Sequence, residues 1–379
     1  MRPLRIAMLA PFGIKPKGTL LARMLPLAQA LHHRGHHIHI FAPALHNPED
    51  AGTTIDHGGV LVTHTRAPHS ASMWQQTSRY QPDLIHLFKP KGHAGLAARW
   101  GRLVARRIPL VVDCDDREGV GGWNDELPYP ALAKALFAWQ EVDLPRQAAA
   151  VTVASRTLQS LAWASGVARQ ATFYLPNGAN IHATSVPEPR TAATVVLYTR
   201  FWEFDLHHLV ASIAALATTR PDLHLHVIGS GENGEERVLA QLLDTHGLSS
   251  HVTLHGWLQP ASIPAILAQA SVAMVPVADT LINRARCSAK LLELLAAGLV
   301  VVGHDVGEMR TFITHGHNGL LVAPDNPAAL AHQITELLAH PEQLTHMQHQ
   351  AYQSAQRHAW ASRVDTCEAA YAWALRTTP

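Results

Sequence analysis

Residues 5–43 read RIAMLAPFGIKPKGTLLARMLPLAQALHHRGHHIHIFAP. Arg5–Ala10 is a short apolar run, broken by Pro11 and Gly13. Leu20–His33 carries apolar residues at helical spacing, Gly35 stops it, and HIHIFAP reads as a strand. Strand, glycine-containing loop, helix and strand make a βαβ unit, which commits the chain to a parallel sheet covered by helices. In the loop, Gly13 and Gly18 let the backbone approach a ligand, and Lys15 and Lys17 are placed to meet an anion. A flexible connection with solvated lysines accounts for the same residues. The histidines at 32, 33, 36, 37 and 39 read as a helix C-terminal cap, and no metal site is assigned.

The pattern repeats outward. Asp83–Phe88 (DLIHLF) is a strand containing His86, and KPKGHAG after it supplies Lys89. PLVVDCDD is the next strand, with Asp113, Asp115 and Asp116 at its carboxyl end. Ligands of open α/β sheets bind outside the carboxyl ends of strands, so His86 and these acids are expected to face one cleft. The acids would hold a divalent cation, bond sugar hydroxyls or cap the next loop. Trp123, in the glycine-rich loop EGVGGWNDELPYP, would stack on a sugar face or anchor the loop.

SVPEPRTAA (Ser185–Ala193) is the expected boundary. TVVLYT then opens a second α/β series, with Arg200 at its first strand end and Gly229 and Gly231 at its second. In NRARCSAKLLELLAAGLVVV (Asn283–Val302), a polar entry leads into a helix with a single acid, Glu293, and then a strand after Gly298. A helix N-terminus beneath basic residues suits a phosphate. An ordinary amphipathic helix with a solvated glutamate fits equally. The expected fold is α/β: two Rossmann-like domains facing across a cleft, over residues 1–187 and 188–358. Residues 359–379 form a C-terminal helix expected to return to the first domain.

The chain has 379 residues, 47% hydrophobic and 16% charged, with a formal net charge of +1. Such a chain is globular and lacks the basic field of a nucleic-acid binder. Three widely separated cysteines, Cys114, Cys287 and Cys367, imply a reducing compartment. No apolar run reaches membrane-spanning length. A cytoplasmic protein is expected, at most touching the inner face of a membrane.

Eight segments, in order, resemble a GT-B glycosyltransferase of family 4 (group 1) type. They are LAPFG with RGHHIHIFAP, PDLIHLF, YLPNGAN, LYTRFWEF, LHLHVIGSGE, HVTLHGWL, SAKLLELLAAGLVVVG and HNGLLVAPDNPAAL. The resemblance implies retaining, metal-independent transfer of a sugar from a nucleotide-diphosphate sugar, with no further cofactor. The acceptor it implies is a carbohydrate or glycolipid, as in polysaccharide biosynthesis. It places acceptor binding in 1–187 and donor binding in 188–358. Glu293 matches the family's ribose-binding acid, Arg200 its diphosphate arginine, and His86 lies in the strand that resembles the one bearing its cleft histidine.

Two positions depart from the pattern. The family's first acid falls at Ala285, where Asp279, Asn283 or Arg284 would have to substitute. Its diphosphate lysine falls at Asp205, and Lys290 is the candidate replacement. The expected catalytic set is His86, Asp116, Arg200 and Lys290. The donor set adds Gly229, Gly231, Trp257, Asn283, Arg284, Ser288, Leu291 and Glu293. The acceptor side takes Gly13, Lys15, Gly18, Lys89, Asp113, Asp115 and Trp123. The missing acid keeps two alternatives open: a catalytically silent GT-B protein that binds a sugar nucleotide or a partner, and a GT-B epimerase.

Overall fold

The computed structural model describes residues 1–14, 18–181 and 187–378; the expected ligand Lys15 lies outside them. By contacts the chain divides into two units. Unit 1 is Met1–Gly178, Arg284–Cys287 and Trp360–Pro379; unit 2 is Ala179–Asn283 and Ser288–Ala359. The boundary expected at 187/188 therefore falls inside unit 2. Backbone pairing explains why: the Ala179 N–H donates to His358 O at 2.8 Å. The Arg190 guanidinium donates to the carbonyls of Leu267 (3.1 Å) and Ala297 (2.6 Å). Arg190, in the described part of that proline-rich segment, is thus tied into unit 2.

The unit 1 sheet runs β3 (Thr54–Asp56), β4 (Leu61–Thr65), β2 (His37–Pro43), β1 (Arg5–Leu9), β5 (Leu84–Phe88), β6 (Leu110–Cys114), β7 (Ala150–Val153), β8 (Thr172–Tyr174). Only β3 and β4 pair antiparallel. Parallel strands are covered on both faces, so they read as nearly continuous apolar runs. In β1, Ile6 and Met8 pack with Leu27, Leu31 and Tyr371, while Ala7 and Leu9 pack with Met73, Ala97 and Leu144.

Unit 2 carries a six-stranded parallel sheet: β11 (Val252–Gly256), β10 (His224–Ile228), β9 (Thr194–Tyr198), β12 (Val272–Val275), β13 (Val300–His304), β14 (Gly319–Val322). Helices Leu206–Thr219, Glu235–Thr245 and Pro327–Ala339 cover one face, with Leu209, Leu239 and Leu330 against Val195, Leu225 and Val302. In both sheets the winding reverses beside the first strand, between β1 and β5 and between β9 and β12. Such switch points open a crevice at the carboxyl ends of the strands.

Candidate active site

In unit 2, β9 ends at the switch point in Tyr198, and Thr199 and Arg200 follow it. Phe201 then takes a left-handed conformation (φ 68°) and turns the chain. Glu203 holds this turn. Its carboxylate accepts from Thr199 Oγ1 (2.9 Å) and from the Arg200 N–H (3.2 Å). Its carbonyl accepts from the Ala278 N–H (2.7 Å). Its second carboxylate oxygen meets Lys290 Nζ at 2.7 Å. Lys290 lies in the first turn of helix Ala289–Ala296 and 5.7 Å from the Tyr198 ring centroid. Burial pushes the Tyr198 hydroxyl pKa up; the charge of Glu293 adds to this and that of Arg200 opposes it. Arg200, Lys290 and Glu293 thus converge around Tyr198, on elements of one unit.

Several expected ligand residues turn out to hold the frame. Asn283 is buried, and its amide donates to Glu203 O and Ala278 O, both at 2.9 Å. Ser288 caps its helix by accepting from the Leu291 N–H (3.4 Å), and Leu291 itself is core. The Gly229 N–H donates to Gly256 O (2.8 Å), and a Cβ there would stand 1.9 Å from Thr199 O. Only glycine allows β10 to close on β9 at that point. The Gly231 N–H donates to Glu236 (2.9 Å), and Glu235 and Glu236 fill the first turn of the following helix. Two carboxylates there disfavour phosphate, whereas the helix at Ala289 has no acid in its first turn. Asp205, standing where the family pattern has a lysine, caps Leu206–Thr219 by accepting from His207 N–H (2.8 Å) and His208 N–H (3.1 Å). Trp257 is exposed beyond the carboxyl end of β11. Arg284 and Ala285 group with unit 1, and Ala285 is fully buried. A glutamate at Ala285 would have to be buried in this backbone, which costs free energy unless the carboxylate is paired.

In unit 1 a charged cluster gathers at the ends of β5 and β6. Lys89, held left-handed (φ 50°), places Nζ 2.8 Å from Asp116, 2.9 Å from Glu118 and 3.7 Å from Asp115 Oδ1. Lys91 also bonds Glu118, and it lies 4.5 Å from the Tyr129 ring centroid and 4.9 Å from that of Phe137. Burial works against ionisation of Asp116, but Lys89 and Arg286 hold its pKa below the usual range. Burial pushes Asp115 up to about 7; Lys89 opposes this and the charges of Asp116 and Asp113 add to it. Asp115 Oδ2 accepts from Thr19 Oγ1 at 3.0 Å, and Oδ1 has no hydrogen-bond donor among the described residues. Asp115 is therefore the carboxyl of the cluster that its surroundings most favour in the protonated form.

A carboxyl raised in the fold binds its proton there before it does in the unfolded chain. It supports stability below pH 3.8 and loses that support as pH rises through about 7. Asp115→Asn should match the parent near pH 4 and melt higher at pH 8, by about 2–4 °C for each kcal/mol recovered. Parallel melting curves across that window would return Asp115 to an ordinary carboxylate.

Five acceptor-side or catalytic expectations are corrected. His86 lies mid-strand with no exposed surface, its Nδ1 2.8 Å from the Tyr371 hydroxyl and its Nε2 3.4 Å from Thr152 Oγ1. Burial lowers its pKa to about 4, so it is a neutral core side chain out of reach of a ligand. Asp113 is fully buried against Arg23. Trp123 is buried and anchors its loop, its N–H donating to Arg117 O at 3.0 Å. A Cβ at Gly13 would stand 2.6 Å from Asn47 Oδ1, so this glycine serves close packing. Gly18 starts the next helical turn, its carbonyl accepting from the Ala22 N–H. Lys89, Asp115 and Asp116 are brought together as a group.

Residues 192–340 match the family model described as "Glycosyl transferases group 1", and residues 18–178 the one described as "Glycosyl transferase 4-like domain". Over 353 residues the chain is 27% identical to the phosphatidyl-myo-inositol mannosyltransferase of Mycobacterium leprae, covering 88% of this chain and 87% of that one. Its fold is that of sucrose-phosphate synthase from Thermosynechococcus elongatus (TM-score 0.74, 20% identity, 97% of this chain and 98% of that one). It is also that of Anabaena HepE in complex with UDP and glucose (TM-score 0.72, 18% identity, 97% and 99%).

Proposed function

The chain belongs to the group 1, GT4-like glycosyltransferases, and on that premise we propose a retaining, metal-independent hexosyl transfer from a nucleotide-diphosphate sugar to a carbohydrate or lipid-linked acceptor. The observation that carries the reading is the convergence of Arg200, Lys290 and Glu293 at the unit 2 switch point. Arg200 and Lys290 supply two cations for the diphosphate, and they stabilise the charge that grows on it as the glycosidic bond breaks. Two fixed cations do the work that a divalent ion does elsewhere. Glu293 accepts from the ribose hydroxyls, and Trp257 offers an aromatic face to the base. Lys89, Asp115 and Asp116 orient the acceptor's hydroxyls.

The buried alanine at 285 favours a second reading, a protein that binds the sugar nucleotide without transferring the sugar. Thermal-shift measurements with nucleoside diphosphates and their sugars, in chelator, test the donor site. A ligand at about 100-fold excess over its Kd adds about 2.7 kcal/mol to stability. A shift with at least one nucleotide is expected. No shift with any of them would remove the donor site. A shift without sugar transfer or donor hydrolysis would favour the silent binder.

A further inference from the structure

Strand β11 (VTLHG) is one edge of the unit 2 sheet and pairs with β10 (HLHVI). Leu225 and Val227 lie in the core beneath the covering helices, and Val252 and Leu254 pack against it. Successive side chains of a strand point to opposite faces. His224, His226, Thr253 and His255 therefore share the other face, where all four are partly exposed. The pairing slips near its end. Val227 sits opposite Leu254 and Ile228 opposite Gly256, which leaves His255 as the extra residue of a bulge. A bulge re-aims the side chain it carries. Here His255 Nε2 comes to 3.0 Å from His226 Nδ1, with the ring centroids 5.2 Å apart. His224 backs the pair, its ring centroid 5.1 Å from that of His226 and its Nε2 2.8 Å from Thr253 Oγ1.

Two neutral imidazoles that meet nitrogen to nitrogen share one proton, because one must donate and the other accept. A metal ion can take that proton's place. The proton then moves to the other nitrogen of its own ring, and both rings stay neutral. A turn about each Cβ–Cγ bond aims the two lone pairs at the ion. At about 2.0–2.1 Å from each nitrogen, an ion between two nitrogens 3.0 Å apart sees them close to a right angle. That is the angle between neighbouring positions of tetragonal copper(II) or nickel(II), and it is too narrow for tetrahedral zinc. Among the described residues no group of three or more side chains is set to hold a metal, so water fills the remaining positions.

We propose that His226 and His255 form a surface site for a tetragonal transition-metal ion, copper(II) foremost because imidazole binds it most tightly of the divalent series. The site lies two strands from β9, on the order of 10 Å away. It is therefore separate from Arg200 and Lys290 and supplies nothing to a metal-independent transfer. The ion ties β10 to β11 just before the exposed Trp257.

The test is titration of the full chain with copper(II), with glycine as a weak competitor, followed by calorimetry and electron paramagnetic resonance. One equivalent per chain should bind ahead of the rest and show two imidazole nitrogens in its spectrum. His226→Asn and His255→Asn should each lose that early equivalent and keep the parent's metal-free melting temperature. His246→Asn, at an exposed histidine of the same unit, should keep it. Copper(II) quenches nearby indoles, so the first equivalent should quench part of the tryptophan emission. Trp257→Phe should remove that part, which tests the same place without touching a ligand. A two-nitrogen spectrum that survives in both histidine variants would overturn the proposal. So would a titration in which all 27 histidines behave as one class, or early quenching that persists in Trp257→Phe.

Discussion

Replacing Asp113 by alanine should cost unit 1 about 3–5 kcal/mol, the range for stripping the partner from a buried charge. Arg23 is 1% exposed. It donates Nε to Asp113 at 2.7 Å, Nη2 to Asp113 at 2.6 Å and to Leu175 O at 2.8 Å, and Nη1 to Asn177 at 2.8 Å. Burial disfavours the guanidinium charge, and Asp113 is the main group that restores it. Asp113 also accepts from Thr152 Oγ1 at 2.6 Å, which links the pair to the buried His86 and Tyr371. Alanine leaves a cation in the core with two of its donors unmatched.

Urea unfolding of the full chain, followed by a probe in unit 1, measures the loss. A change under about 1 kcal/mol would mean that water reaches Arg23. Removing both charges together, as Arg23→Met with Asp113→Leu, should recover much of the loss, because it also removes the desolvation cost.

Asp113 also shows where the sequence stops being informative. The two α/β series were readable, because apolar runs bounded by glycine alternate with helical spacing from Arg5 to Pro43 and again from Thr194. The side of a strand was not. In β5 (LIHLF) and at the end of β6, both faces are buried, so no polar alternation marks the one that leads out. His86 and Asp113 fell on the inner positions, and Arg23, the partner that explains Asp113, is 90 residues away. Glu203 was missed although it organises the β9 turn, since three residues beyond Arg200 it reads as any loop acid. Asp205 carried a readable signal: an aspartate directly before a helical run is a capping residue, which accounts for its sign. The hairpin of β3 and β4 and the helix His69–Tyr80 have too polar a pattern to announce themselves.

Lys290→Ala should lower donor turnover by about 10²–10³-fold, the scale seen when one group stabilising a developing anion is removed. The lysine starts helix Ala289–Ala296 and faces the switch point, with Glu203 as its partner at 2.7 Å. At the donor site proposed above, a diphosphate competes with that carboxylate, which makes Glu203 a second handle on the same site. Glu203→Gln keeps an acceptor for Thr199 and the Arg200 N–H but removes the competing charge. Nucleoside-diphosphate affinity should therefore fall in Lys290→Ala and rise in Glu203→Gln. A lysine that only braces Glu203 gives the opposite pattern: both variants loosen the β9 turn, both lose stability, and neither changes nucleotide affinity in a charge-dependent way. Isothermal titration with nucleoside diphosphate at two salt concentrations separates the cases. An electrostatic contact weakens with salt in the parent and loses that dependence in Lys290→Ala.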